Sequence, residues 1–154
     1  MTFSQHAAQY PGARRYFAVL LSSMTTFFLW YLVFLMPQKF DLPVTFIVLA
    51  ILISVGVFVA GIVPETTGWR VKVHRIAAFG FATLMVPLVA VLAVFLPGTL
   101  AVRVILGLLA LYLANDVWIL AKNKGEHPDM LLRQAIYLGV FAVAIMTATF
   151  FGRT

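Results

Sequence analysis

Cysteine is absent from this 154-residue chain. Disulfides, thiol redox chemistry and cysteine-ligated iron–sulfur clusters are therefore excluded. Charge is almost as scarce. Asp, Glu, Lys and Arg make up 10% of the residues, against about a quarter in a soluble domain, which excludes an ordinary water-soluble globule. The acidic residues are Asp41, Glu65, Asp116, Glu126 and Asp129. Enzyme signatures are missing too: there is no HExxH, no P-loop and no GxSxG. No lysine lies in the middle of an apolar run, so a retinal Schiff base has no anchor. His6, His74 and His127 all fall at the edges of such runs, which gives no support to a bis-histidine haem. No catalytic residue, cofactor-binding residue or metal ligand can be nominated.

What is present is apolar. Hydrophobic residues make up 63% of the chain and the mean hydropathy is +1.03. The run from Val44 to Val63 carries no charge. At ~1.5 Å rise per residue it matches the ~30 Å hydrocarbon core of a bilayer. Four similar runs flank it. The expected fold is all-α: one polytopic transmembrane helical bundle over residues 1–154, with five membrane-spanning helices. Their expected bounds are 14–36, 43–63, 73–96, 100–121 and 130–151.

Breakers set these bounds. Pro11-Gly12 precedes the first run, and Arg14-Arg15 opens it. The run is too long for a signal-peptide core and no A-x-A-like site follows it, so it reads as a retained helix. Pro37 and Pro43 bracket a short turn at which both neighbouring helices should stop. Pro64 to Gly68 breaks the chain again, and Trp69 to His74 reads as a basic connector. Pro87 falls inside the third run and predicts a bend. Pro97-Gly98 is a tight turn. Lys122 to Pro128 is the most polar loop, and Asp129 is placed to cap the last helix.

Five spans put the termini on opposite sides. One side collects Arg14, Arg15, Arg70, Lys72, Arg75, Lys122, Lys124 and Arg133, and the other Lys39, Arg103 and Arg153. By the positive-inside rule the N-terminus is cytoplasmic and the C-terminus external, in a cytoplasmic-type membrane. The net charge of +6 does not point to nucleic acid, because the basic residues are dispersed between apolar runs. The expected partners are membrane lipids and a second copy of the chain or a larger membrane complex.

Small residues four apart, such as Ala50/Ser54, Gly56/Ala60, Ala78/Ala82, Ala110/Ala114 and Ala135/Gly139, are expected to face the bundle interior. Ser22, Ser23, Thr25 and Thr26 form a hydroxyl cluster in the first run. Such groups usually bond back to their own helix, and the sharper reading is a hydrated path. The main chemistry candidate is Asp116, six residues before Lys122 and so ~9 Å into the apolar layer. A carboxylate there faces the interior or finds a partner. Asn115, His74, Arg75 and Glu65 complete the candidate polar cluster, with His74 or Arg75 expected to pair with Asp116. The bland reading is a structural ion pair. The sharp one is a proton-titrating or head-group-binding site. Arg75-Ile-Ala77 and Arg133-Gln-Ala135 also give a faint internal echo at two helix starts.

The segment Pro64-Glu65, Gly68 and His74-Arg75-Ile76-Ala77-Ala78-Phe79-Gly80-Phe81 resembles the loop and helix start of DRAM/FRAG-like and related small polytopic membrane proteins. In these a His before an xxAxxF run opens a central helix. The likeness covers the middle third of the chain. Those families commonly have six helices, whereas five runs are seen here. The resemblance implies a polytopic helical membrane protein and carries no catalytic activity with it. Three functions stay open: a non-enzymatic accessory or lipid-associated module, a small oligomeric transporter or channel using Asp116, and a lipid head-group enzyme using Glu65, His74 and Asp116. The short loops weigh against the last.

Overall fold

The structure, a computed structural model, describes residues 10–63, 68–123 and 129–153. Every regular element among them is helical. The chain forms α1 (Pro11–Trp30), a π-helical turn (Tyr31–Leu35), α2 (Met36–Phe40), α3 (Val44–Ile62), α4 (Trp69–Phe95), α5 (Leu100–Lys122) and α6 (Met130–Phe151). Among the described residues five helices are long and apolar enough to cross a membrane: Ala18–Phe40, Val44–Ile62, Trp69–Phe95, Leu100–Lys122 and Leu132–Phe151. α1, the π turn and α2 form the first of these.

That first rod corrects the expectation that it ends at Met36. Helix continues through Pro37 to Phe40. Proline normally breaks a helix because it has no N–H and its ring strikes the carbonyl one turn back. Here the turn before it is widened, with the Met36 N–H bonded to Tyr31 O, five residues back. The extra residue in that turn gives the ring room. The rod ends instead at Asp41, in the left-handed region at φ 51°, with Leu42 N bonded to Pro37 O at 3.2 Å. Asp tolerates that conformation better than most side chains.

The third span begins at Trp69, four residues before the expected Val73. Gly68, at φ 63°, turns the chain, and the basic connector is already helical. α4 then continues through Pro87. Thr99 caps α5, its side chain accepting from Val102 N at 3.4 Å. Asp129 occupies the cap position of α6, but its side chain makes no capping bond.

The rods pack in sequence, α1 on α3, α3 on α4, α4 on α5 and α5 on α6, with α6 also touching α4. Side chains close the ring: the Phe28 and Phe141 centroids are 5.7 Å apart, and the Tyr31 hydroxyl bonds to Thr149 Oγ1. The core is mainly aliphatic, with Leu32, Met36, Ile53, Leu88, Leu92 and Leu106 fully buried alongside Phe46. Small residues do permit close approach at α3–α4. A Cβ on Gly56 would lie 2.8 Å from Phe81 Cβ, closer than side chains tolerate. Ala135 and Gly139 do not fit the expectation: both are exposed, and a Cβ on Gly139 would meet nothing within 4 Å.

Candidate polar site between α4, α5 and α6

Val102, Leu106, Ala110, Leu113 and Asp116 are the buried residues of α5, and they recur every three or four positions. That spacing is one helical stripe, so Asp116 takes its inward direction from the apolar residues before it. It is 6% exposed. Asn115, about 100° round the helix, is exposed and does not share the site.

The partner of Asp116 is Arg133, on α6, and not His74 or Arg75 as expected. Arg133 Nη1 donates to Asp116 Oδ1 at 2.5 Å, with side-chain exposures of 25% and 9%. The reason is again register. Tyr137, Phe141, Ala144, Ile145 and Ala148 form the buried stripe of α6. Arg133 lies one turn before Tyr137 on that stripe, on the helix that returns directly from α5. Tyr137 donates its hydroxyl to Ala82 O on α4 at 2.6 Å. One ion pair and one hydrogen bond thus tie three helices at adjoining levels.

The other expected members lie elsewhere. His74 is buried, with Nδ1 2.8 Å from Val63 O. A carbonyl can only accept, so Nδ1 carries the proton there, and the ring secures the end of α3 against α4. Arg75 is exposed. The echo between Arg75 and Arg133 therefore does not extend to their placement, since one faces outward and the other inward. Glu65 lies outside the described residues. Among the described residues no three His, Asp or Glu side chains gather as a metal site would require.

Several hydroxyls within the long apolar helices bond back to their own helix. Thr25 and Thr26 donate to Leu21 O and Ser22 O, Ser54 to Ala50 O, Thr83 to Phe79 O and Thr149 to Ile145 O. This is the bland reading of the α1 cluster for its two threonines. Beyond Tyr137 the interior turns apolar, through Met85, Leu88, Phe141 and Ala144. One polar atom stands out. Asp116 Oδ2 is buried and has no hydrogen-bond partner among the described residues.

Chemically the arrangement is a clamp. Arginine stays protonated in proteins, so it donates to the carboxylate and exchanges no proton with it. Reasoning from sequence missed Arg133 and Tyr137. The available signal was their four-residue spacing, which places both on one face of α6, and the nearness of Arg133 to the loop that follows Lys122. No protein-family model, curated protein or solved structure matches this chain.

Proposed function

We propose that the chain is a non-enzymatic integral membrane module, an accessory or lipid-associated helical bundle. The observation that carries this reading is the Asp116–Arg133 pair. The one buried carboxylate among the described residues is neutralised from within the bundle, and an apolar core lies beyond it. Such a pair holds helices in register and offers no ion pathway. The basic asymmetry favours a cytoplasmic N-terminus and an external C-terminus. The resemblance of residues 64–81 to DRAM/FRAG-like proteins agrees with a polytopic module of this class. A second reading, a small oligomeric transporter, is favoured by Asp116 Oδ2, a buried carboxylate oxygen with no hydrogen-bond partner among the described residues. Reconstitution into liposomes separates the two. The module should give no proton or sodium flux above protein-free vesicles. A saturable flux abolished by Asp116→Asn would overturn the module reading in favour of the transporter.

A further inference from the structure

We propose that the α1–α6 seam holds one anionic phospholipid, with its phosphate on Arg133 and an acyl chain in the groove beside Phe28. The proposal rests on the lipid-associated reading above and names the lipid. Arginine presents five N–H donors in a planar fork. Only Nη1 is engaged among the described residues, and its acceptor Asp116 fixes the plane of the group. The side chain is a quarter exposed, so a free edge of the fork reaches the surface at the α5–α6 end. Phosphate oxygens match that edge, and Arg133 lies in the opening turns of α6, where the helix dipole also favours an anion. Asp116 acts here as a positioning residue.

Among the described residues the rim around this point is mainly basic. Arg15, Arg70, Lys72, Arg75 and Lys122 are exposed at the same end of the bundle, where Asp129 is the exposed acid among the described residues. Asp116 is spent on Arg133. A head group with net negative charge is therefore preferred over a zwitterionic one.

The chain of the lipid has a place as well. Met24, Phe27, Phe28 and Tyr31 line an open, almost wholly apolar groove of about 340 Å³ on the first rod. Phe28 packs on Phe141, which stands eight residues beyond Arg133 on the buried stripe of α6. That offset is ~12 Å along the helix. An acyl chain of ~15 Å, half of the ~30 Å hydrocarbon core, covers that offset, so one lipid reaches both places. Phe28 on Phe141 and Tyr31 on Thr149 join the first rod to α6 at this level and farther from Arg133.

The test is native mass spectrometry of the full chain in neutral detergent, titrated separately with phosphatidylglycerol, phosphatidylcholine and inorganic phosphate. One phosphatidylglycerol per chain should be retained in preference to phosphatidylcholine. Arg133→Gln should weaken it roughly tenfold, the loss expected for one charge-assisted contact. Arg75→Gln, the same charge change on the exposed rim, should have an effect smaller than about twofold. Met24→Trp, which fills the groove, should weaken retention without touching the charge. Equal losses in both arginine variants would reduce the site to general attraction by the rim and overturn the proposal. So would equal retention of phosphatidylcholine, or competition by inorganic phosphate at the concentrations of the lipid. If Arg133→Gln does not fold, the paired variant Asp116→Asn/Arg133→Gln leaves no buried charge and takes its place. Wild-type retention by that variant also overturns the proposal. Asp116-dependent flux in liposomes would sink the module reading while leaving this retention measurement standing on its own.

Discussion

The two ends of the bundle are closed by different physics. At the end where α2 meets α3, closure is by packing. Met36, Phe40, Leu42 and Leu96 are buried, Arg153 N donates to Pro97 O at 2.7 Å, and Gly152 fits against Phe40 and Leu96. The Tyr31 and Thr149 hydroxyls bond there, and the exposed Lys39 adds a long 3.5 Å bond from Nζ to Thr149 O, with no buried charge at this end among the described residues. At the end where α5 meets α6, closure is by charge, through Asp116 and Arg133, with a buried histidine bonded to the α3 terminus. The lesson concerns sensitivity. A packed end loses stability in proportion to the space disturbed. A charged end is nearly indifferent to losing both partners and intolerant of losing one.

The largest expected effect follows from that asymmetry. Arg133→Ala strands the Asp116 carboxylate in an apolar setting and should cost about 3 kcal/mol, the loss typical of breaking a buried pair from one side. Thermal unfolding in detergent measures it. Adding Asp116→Asn should restore most of the loss, because no charge is then left unpaired. If the double variant is no more stable than the single one, the pair is not what closes this end, and the comparison fails.

Gly152→Val tests the packed end. A Cβ there would sit 2.8 Å from Phe40 Cε1 and 2.5 Å from Ala148 O, so the chain after α6 must shift. Overpacking of this kind should cost about 2 kcal/mol. Hydrogen exchange should rise at Arg153, whose amide bonds to Pro97 O, and stay unchanged around Arg133. Equal changes at both ends would mean that the two closures are not independent.

A smaller change is expected for Tyr31→Phe. It removes the hydroxyl bond to Thr149 while Thr149 keeps its own bond to Ile145 O. No buried group is stranded, so the cost should be about 1 kcal/mol. A much larger fall in the unfolding temperature would show that the π turn at Tyr31 depends on this bond as well as on Pro37.

Much of this architecture was legible in the residues, for physical reasons that also mark the limit. A span is long because the bilayer is thick, so the run from Val44 gives itself away without any knowledge of its neighbours. The inward direction of Asp116 was legible from the cost of exposing a carboxylate to lipid. Its partner was not. A membrane helix is apolar on every side, so nothing in α6 alone shows how it is rotated about its axis. Ala135 and Gly139 suggested one inward face, and Arg133 with Tyr137 occupies another. Pro37 misled for a different reason. Its conflict with helix is real, but a single widened turn upstream removes it, and the apolar residues Tyr31 to Leu35 give no sign of that turn.

Gly139 offers the smallest effect and a sharp reading of what lies outside the bundle. It sits in the interior of α6 with nothing within 4 Å of where a Cβ would be. Glycine in a helix interior is disfavoured relative to alanine by about 1 kcal/mol, so Gly139→Ala should leave stability unchanged or raise it by up to that amount. Ala135 and Gly139 together give α6 a flat outer strip of the kind that lets helix backbones approach closely in lipid. If a second copy of the chain packs there, the added methyl groups would be forced into its backbone. The unfolding temperature would then fall in mild detergent at high protein concentration and be unaffected under dilution. A rise that is independent of concentration leaves this strip facing lipid. The helix contacts at both ends would then be those of a single chain.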